Sequence, residues 1–435
     1  MTQHSPCYLA IDMKCFYASV ECAERQLNPF ETCLVVADVT RGKNALCLAI
    51  SPKMKALGVK NRCRLSEIPG NIRYEIAPPR MQLYIDYAAD IYFIYLDYFS
   101  PDDIHVYSID ESFIDATRYL DAYKTTPKQL AGRLMNEISD RLHIPSTAGI
   151  GTNLYLAKIA LDVTAKHAPD HMGYLDEALY RETLWDHEPL SDFWQVAAGT
   201  CRRLDRYGIH TMRGIAECPQ DCLYRLFGKN AELLIDHAWG REPCLMSDIK
   251  SYRARTHSVS SSQILPRNYS ADEARIVLQE MILSGSHELM KRKVITRKLW
   301  LGIGYAYGTV PSSKGSARLI SATNANSLLL EAALPLFDRI ADREVPIRRL
   351  ALAFEDVVDE SCEGYDFFTD WNAVAREKDR ERAVMELAEK YGKNAVVRGT
   401  SYLDCATQRE RNEMIGGHRA GYDDARRESE AVRPV

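Results

Sequence analysis

Two short strings hold the residues best suited to chemistry. In Leu9-Ala10-Ile11-Asp12-Met13-Lys14-Cys15-Phe16-Tyr17-Ala18-Ser19 an acid closes an apolar run. In Val106-Tyr107-Ser108-Ile109-Asp110-Glu111-Ser112-Phe113-Ile114-Asp115 two adjacent acids sit inside one. Such apolar runs read as buried strands, where an ionised carboxylate is costly unless positive charge meets it. If the two segments pair side by side, Asp12, Asp110 and Glu111 converge at one sheet edge and make a site for divalent metal; two metals about 3.5–4 Å apart are the standard device for phosphoryl transfer. Neighbours in a regular strand face opposite ways, so Asp110 and Glu111 serve one site only across a turn or bulge. Ser108-Ile109-Asp110-Glu111-Ser112 has the polar character of such a break. Mg²⁺ suits the donors, because it takes carboxylate and phosphate oxygens and keeps waters. Taken singly, each acid reads as a cap or a surface turn; the two strings together favour the metal site.

The elements that must hold these acids follow from periodicity and breakers. Residues 7–12 read as a strand, 14–27 as a helix, 34–38 and 45–50 as short strands, and 52–58 as a helix ended by Gly58. A long helix over 81–99 precedes strand, turn and strand over 106–116. A helix (127–142), a strand (147–150) and a helix (153–167) complete an α+β domain with an antiparallel sheet. Residues 176–248 read as short helices broken by Pro189, Gly208, Pro219, Gly228 and Gly240, and 249–256 as a linker. Strands over 257–264, 294–306, 317–323 and 347–358 with helices over 271–292 and 327–343 give a second α+β domain of order β-α-β-β-α-β. Beyond 358 a charged helix (372–391) and a polar tail supply no core of their own, and partial disorder is expected there.

The bulk numbers narrow the class. A chain of 435 residues has room for several domains, and 46% hydrophobic with 26% charged residues is ordinary for a globular protein. No apolar run is long enough to span a bilayer, and no basic stretch followed by an apolar core marks a secretion signal. Twelve cysteines are scattered, the tightest pairs being Cys15/Cys22 and Cys218/Cys222, which is no zinc-ribbon spacing. Reduced thiols in a cytoplasmic protein are the expectation. The net charge of −5 argues against a simple nucleic-acid binder, but residues 250–350 hold sixteen Lys/Arg against eight Asp/Glu, whereas residues 1–120 hold twelve against fifteen. A locally basic segment in an acidic chain still steers a polyanion.

Asp12-Met13-Lys14-Cys15-Phe16-Tyr17-Ala18-Ser19-Val20-Glu21, Ser108-Ile109-Asp110-Glu111-Ser112-Phe113 and Ala157-Lys158-Ile159-Ala160 with Lys166 closely resemble the Y-family translesion DNA polymerases, and within them the UmuC-like branch of Gram-positive bacteria and prophages. The resemblance runs from about residue 7 to about residue 420. It implies a right-hand arrangement: palm over 1–16 and 80–175, small fingers over 17–79, helical thumb over 176–248, linker over 249–256, little finger over 257–358 and C-terminal tail over 359–435. It implies that Asp12, Asp110, Glu111 and the Met13 carbonyl bind two Mg²⁺ ions. It makes Tyr17 the steric gate against a ribose 2′-hydroxyl, and it places Lys55 and Lys166 on the triphosphate of an incoming deoxynucleotide. Cys15, Phe16 and Tyr17 open the first helix, so their N–H groups can meet phosphate oxygens. Lys158 points either to DNA or to solvent. Relatives often carry an acid where this chain has Lys14, a Tyr where it has Pro52 and a Thr where it has Ala49; Ser51 takes over part of that role. The thumb's Gly-Ile-Gly hairpin is here Gln195-Val196-Ala197, which leaves Arg202 and Arg203 to touch the DNA backbone.

In the little finger Lys291-Arg292-Lys293, Arg297-Lys298 and Arg348-Arg349 fall at strand starts, where a sheet laid in the major groove reaches phosphates without reading bases. Tyr365-Asp366-Phe367-Phe368 resembles a degenerate sliding-clamp peptide. The expected activity is template-directed, error-prone synthesis past damaged bases by a monomer acting on primer-template DNA at the nucleoid, with no membrane partner. A non-catalytic polymerase-like scaffold that recruits other replication or repair proteins is the alternative, and retention of all three acids weighs against it. Lesion specificity, the base inserted, accessory subunits and the role of residues 400–435 are not legible.

Overall fold

The computed structural model describes residues 5–254, 257–306 and 310–421. The chain forms two compact units, residues 1–252 with 418–435, and residues 253–417. In chain order the first unit runs β1 (Tyr8–Met13), α1 (Phe16–Glu24), β2 (Leu34–Ala37), β3 (Cys47–Ile50), α2 (Pro52–Ala56), β4 (Glu75–Ala77), α3 (Met81–Leu96), β5 (Ile104–Val106), β6 (Glu111–Asp115), α4 (Pro127–Leu142), β7 (Ser146–Gly151), α5 (Leu154–Ile159) and β8 (Met172–Leu175). Its main sheet has the order β5-β6-β1-β7-β8, and β3-β2-β4 form a separate small sheet in the inserted lobe. The sheet is mixed rather than antiparallel as expected: β8 pairs parallel to β7. A parallel neighbour needs a crossover, and α5, continued by a π-helical turn over Ala160–Ala165, supplies it.

That crossover lies almost on the sheet. A Cβ on Gly149 would fall 2.1 Å from the Ala157 carbonyl oxygen, and one on Gly151 would fall 2.2 Å from the Ala157 nitrogen. Only glycine permits this approach, which lowers Lys158 and Asp162 onto the edge of the palm sheet. Helices α1 and α3 are joined by a buried carboxylate. Glu21 accepts hydrogen bonds from Tyr84 Oη (2.7 Å) and from Arg80 Nε (3.0 Å) and Nη2 (2.8 Å), and it also pairs with Arg25.

Short helices follow from Glu177 to Ser251 around a core that includes Leu204, Met212, Ile215, Leu223 and Ala231. The last, Met246–Ser251, takes up the start of the expected 249–256 linker. Asp248 accepts the Leu245 N–H at 2.9 Å, and Met246 buries among Tyr8, Phe113 and Leu154. Residues 255–256 of that linker lie outside the described residues.

The second unit contains β9 (Val259–Tyr269), α6 (Ala271–Lys291), β10 (Val294–Tyr305), β11 (Ser313–Thr323), α7 (Asn326–Ile340) and β12 (Ile347–Glu355), with sheet order β11-β10-β12-β9. Leu299, Leu301, Ile303, Leu350, Leu352 and Phe354 face the two helices and form its core. Helix α8 (Trp371–Tyr391) corrects the expectation of a coreless tail. Three of its charged side chains, Glu377, Lys378 and Glu381, are buried and paired: Glu377 accepts the Ser327 N–H (2.9 Å), Lys378 pairs with Glu363, and Glu381 meets His287 Nε2 (2.9 Å) and Arg398 Nη2 (3.3 Å). Further on, Glu280 Oε2 accepts the Thr407 and Gln408 N–H groups at 2.8 and 3.0 Å. The chain then rejoins the first unit, where the Ala420 carbonyl accepts the Gln82 N–H at 2.9 Å and Arg419 Nε lies 3.7 Å from Asp38. The rest of the tail, 422–435, is outside the described residues. Among those residues no helix is long and apolar enough to cross a membrane, and all twelve cysteines are free thiols.

Candidate active site

Register builds the site. β1 pairs antiparallel with β6 so that Asp12 faces Glu111, and with β7 so that Asp12 faces Thr147. Directly opposed residues point to the same face of a sheet. Asp110 is not in the strand. It is the last residue of a turn closed by the Tyr107 and Ser108 N–H groups donating to the Glu111 carbonyl (3.0 and 3.1 Å). Ser108 Oγ donates to Asp110 Oδ1 at 2.6 Å, and the Met13 N–H donates to the Asp110 carbonyl at 3.0 Å. The turn is what lets adjacent acids serve one place. As they stand, however, no three His, Cys, Asp or Glu side chains among the described residues are gathered in a way that would hold a metal ion.

Lys158 stands at this edge. It is turned away from solvent: its Nζ lies 2.8 Å from Glu111 Oε2 and 3.2 Å from Asp162 Oδ2, and the residue is only 8% exposed. Glu111 Oε1 is buried with no hydrogen-bond partner. Burial, then Asp110 and Glu111, push the Asp12 carboxyl up to about 7, against the pull of Lys158. Burial likewise raises Glu111, which Lys158 partly offsets. Burial works against the Lys158 charge, but Glu111 and Asp162 prevail and raise its pKa. The donor set fits a divalent ion. It is all hard oxygen, it is short of positive charge, and one buried carboxylate oxygen is unspent.

The opening of α1 meets the same edge. Cys15 caps the helix in the left-handed region (φ 52°), which turns the chain sharply from β1 into α1. Lys55 hydrogen-bonds the Cys15 thiol, whose pKa burial nonetheless raises. Phe16 is buried. The Tyr17 ring stacks on Tyr84 (centroids 4.5 Å apart, planes at 19°), and burial followed by nearby Asp110 raises its pKa. Lys14 Nζ lies 3.0 Å from His171 Nδ1. Lys166 is exposed, 3.7 Å from Asp162. Ser51 is a correction: it is fully buried, its hydroxyl donates to the Thr32 carbonyl (2.7 Å), and it accepts the Leu34 and Met54 N–H groups (3.2 and 3.3 Å). Its hydrogen bonds are all spent on seating α2, so it has nothing to offer a nucleotide.

Arg202 and Arg203 are exposed, with Arg203 lying over the Phe227 ring at 4.5 Å. The basic residues of the second unit divide by register. Lys298 pairs with Arg318 on one side and Glu355 on the other, and Arg349 pairs with Gly304. These face away from the core, over a floor of Gly302, Gly304, Ala351 and Ala353. Lys314 and Arg318, missed in the sequence, extend the same face; their alternation with Gly315, Ala317 and Leu319 along β11 was the available signal. Lys291, Arg292 and Lys293 instead occupy the exposed turn between α6 and β10, and Arg292 pairs with Glu288. Arg297 is exposed at a β10 irregularity, and Arg348 at one in β12 is half-buried. Asp366 organises a tight turn, accepting the Phe368 and Thr369 N–H groups (both 2.8 Å) and Ser321 Oγ (2.6 Å). Tyr365 packs edge-on against Trp371, and Phe367 and Phe368 are fully or almost fully exposed (102% and 92%).

Comparison with known proteins agrees with this architecture. The model of the impB/mucB/samB family matches residues 11–162, and that of the impB/mucB/samB family C-terminal domain matches 256–366. The putative UV-damage repair protein UvrX of Bacillus subtilis (strain 168) is 30% identical over 418 residues, covering 95% of this chain and 97% of its own. DNA polymerase IV 2 of the same organism is 29% identical over 421 residues, covering 94% and 97%. Among solved structures, a Y-family DNA polymerase chimera has the same fold (TM-score 0.63, 19% identity, covering 81% of this chain and 99% of that one). The chain belongs to the impB/mucB/samB family and is a UmuC-like Y-family polymerase. Such polymerases are nucleotidyltransferases that generally use divalent metal ions.

Proposed function

We propose that this polymerase, of the translesion class, joins deoxynucleotides to a primer on damaged template DNA at the edge formed by Asp12, Asp110 and Glu111. The observation that carries the reading is the pairing of Asp12 with Glu111, with Asp110 in the turn beside them. Burial, then the neighbouring Asp110 and Glu111, raise the Asp12 carboxyl, as is common for acids at functional sites. Asp12, Asp110, Glu111 and the Met13 carbonyl would hold the metal. Two Mg²⁺ ions there would supply charge to the attacking 3′-oxygen and to the triphosphate.

The chain's own residues do the rest. The first N–H groups of α1, at Cys15, Phe16 and Tyr17, are oriented to receive phosphate oxygens. Lys55 and Lys166 add compact positive charge on either side. Tyr17, held flat against Tyr84, occupies the place where a sugar 2′-hydroxyl would project, so Tyr17→Ala admits ribonucleotides. Arg202 and Arg203 of the thumb hold DNA by phosphate contacts, and the open face of the second unit does so separately. Affinity therefore falls steeply with salt. Asp366 presents Phe367 and Phe368 as the two apolar anchors of a docking peptide for a sliding clamp. Palm, fingers, thumb and little finger follow the boundaries 1–16 with 80–175, 17–79, 176–248 and 257–358. The enzyme works as a monomer in the cytoplasm on nucleoid DNA.

Primer extension with Mg²⁺ tests the site. Asp110→Ala/Glu111→Ala is expected to lower the rate by a factor on the order of 10³ or more, as loss of transition-state charge stabilisation does. Extension at the parental rate would remove the site, and a folded parent without extension would favour the scaffold.

A further inference from the structure

Lys158 has no role in the chemistry described above, yet it is the most deeply placed cation at the acidic edge. It is 8% exposed, and its Nζ sits 2.8 Å from Glu111 Oε2, 3.3 Å from Asp162 Oδ1 and 3.2 Å from Asp162 Oδ2. It also lies 5.9 Å from the centre of the Tyr107 ring, whose face favours a cation. Four features hold it there. The strand glycines Gly149 and Gly151 bring its helix onto the sheet. The π-helical turn begins two residues later and carries Asp162. Asp162 anchors Nζ from the helix side. Glu111 anchors it from the sheet. A lysine meant for DNA or solvent would need none of these.

We propose that Lys158 is a built-in counterion of the acidic edge: it stands where a divalent ion's charge is needed, and divalent metal must compete with it for Glu111. Three consequences follow from charge and geometry. The edge is tolerable without metal, since Lys158 is the buried cation beside Glu111 and Asp162, while Lys166 reaches Asp162 only from its exposed side at 3.7 Å. Glu111 is left with a single unspent oxygen, the buried Oε1, for any ligand. And metal affinity is held down, because an incoming dication meets a fixed monocation at close range. Metal binding is thereby coupled to the arrival of triphosphate, whose negative charge offsets Lys158. Lys158 acts through Glu111 and is a positioning and charge-balancing residue.

The inference rests on the reading of Asp12, Asp110 and Glu111 as the metal acids. The test is Mn²⁺ binding to the full chain, followed by electron paramagnetic resonance without DNA or nucleotide. Lys158→Met keeps length and removes charge, and Mn²⁺ is expected to bind roughly tenfold tighter. Lys158→Arg keeps the charge and should stay near the parent, while Asp110→Ala/Glu111→Ala should abolish the high-affinity site. The Mn²⁺-induced rise in melting temperature should be larger for Lys158→Met than for the parent. Equal or weaker Mn²⁺ binding by Lys158→Met overturns the counterion role, leaving Lys158 a mere brace for Glu111. Equal binding by parent and Asp110→Ala/Glu111→Ala instead removes the metal site itself. If Lys158→Met does not fold, Lys158→Gln carries the same expectation.

Discussion

Glu21 and Glu111 are both buried carboxylates of the first unit, and they are treated in opposite ways. Burial alone would raise Glu21, but Arg80, Arg25 and Tyr84 outweigh it and hold its pKa below the usual value. Glu111 has one cation to share with Asp162, an oxygen with no partner, and a raised pKa; across the strand from it, Asp12 is pushed up to about 7. Both acids are surrounded by well-packed side chains, so packing does not separate them. The difference is that the fold completes the charge balance where the acid serves only to join α1 to α3, and leaves it short where a metal ion would complete it. A deficit of positive charge, rather than burial, marks the functional acid.

The largest effect expected from this contrast is on stability. Glu21→Ala removes the buried partner of Arg80, which keeps Glu24 at 3.8 Å, and should cost about 3–5 kcal/mol, the usual penalty for breaking a buried pair from one side. Chemical denaturation measures it. An effect as small as that of a surface substitution would erase the distinction between the two acids. Asp12→Asn should move the other way in the metal-free protein. The Asp12 carboxyl keeps its proton up to about pH 7 in the folded chain but only to about 3.8 by its ordinary value. The parent therefore loses stability as pH rises across that interval. With EDTA present, Asp12→Asn should be more stable than the parent at pH 8 by on the order of 2–4 kcal/mol, with the gap closing near pH 4. A gap of the opposite sign at pH 8 would mean that Asp12 is satisfied by the protein alone.

The second unit offers a further acid of the Glu21 kind. Glu381 is brought down to about 2 by hydrogen bonding from His287, against burial, with Arg398 adding to the effect. A depressed acid stabilises above its unfolded pKa and loses that contribution as pH falls through the folded value. Helix α8 should accordingly be held at pH 7 and loosen between about pH 4.5 and 2, and Glu381→Gln should remove about 1–2 kcal/mol at pH 7 and almost nothing at pH 2. Amide exchange along α8 at the two pH values reports it. Loss of protection already at neutral pH in the parent would show that the pairing does not hold the helix.

How much of this was legible in the sequence follows from the same contrast. The acidic edge was readable because a carboxylate in an apolar run is anomalous, and because Ser108-Ile109-Asp110-Glu111-Ser112 announces its own turn. The β-α-β-β-α-β order was readable from strong alternation in β10 and β12. What escaped depended on partners distant in sequence. Lys158 lies forty-seven positions from Glu111, and nothing local tells a lysine on a buried helix that it will face an acid. Ser51 looked available for a ligand because its hydroxyl partners, Thr32 and Leu34, belong to a neighbouring strand segment. The parallel edge β8 was missed because Met172–Leu175 is short and Gly-containing. The tail was read as solvated because a charged helix gives no apolar stripe, whereas α8 docks through paired charges.

The smallest stability effect is expected where no charge is short and no side chain is buried. Phe367 and Phe368 project from a turn held by Asp366, Ser321, Thr369 and Trp371. Phe367→Ala/Phe368→Ala should therefore leave unfolding free energy within about 0.5 kcal/mol of the parent, as surface substitutions do. Two aromatic rings held in water by a turn add little to the fold, and the proposed clamp docking would give them a role in another protein's affinity. Capture of purified sliding clamp should fall at least severalfold in the double variant. Asp366→Ala, which releases the turn but keeps both rings, should lose less. If clamp capture is undiminished while stability falls, the rings pack on the second unit in solution, and Phe367 and Phe368 join Glu21 among the residues that serve the fold.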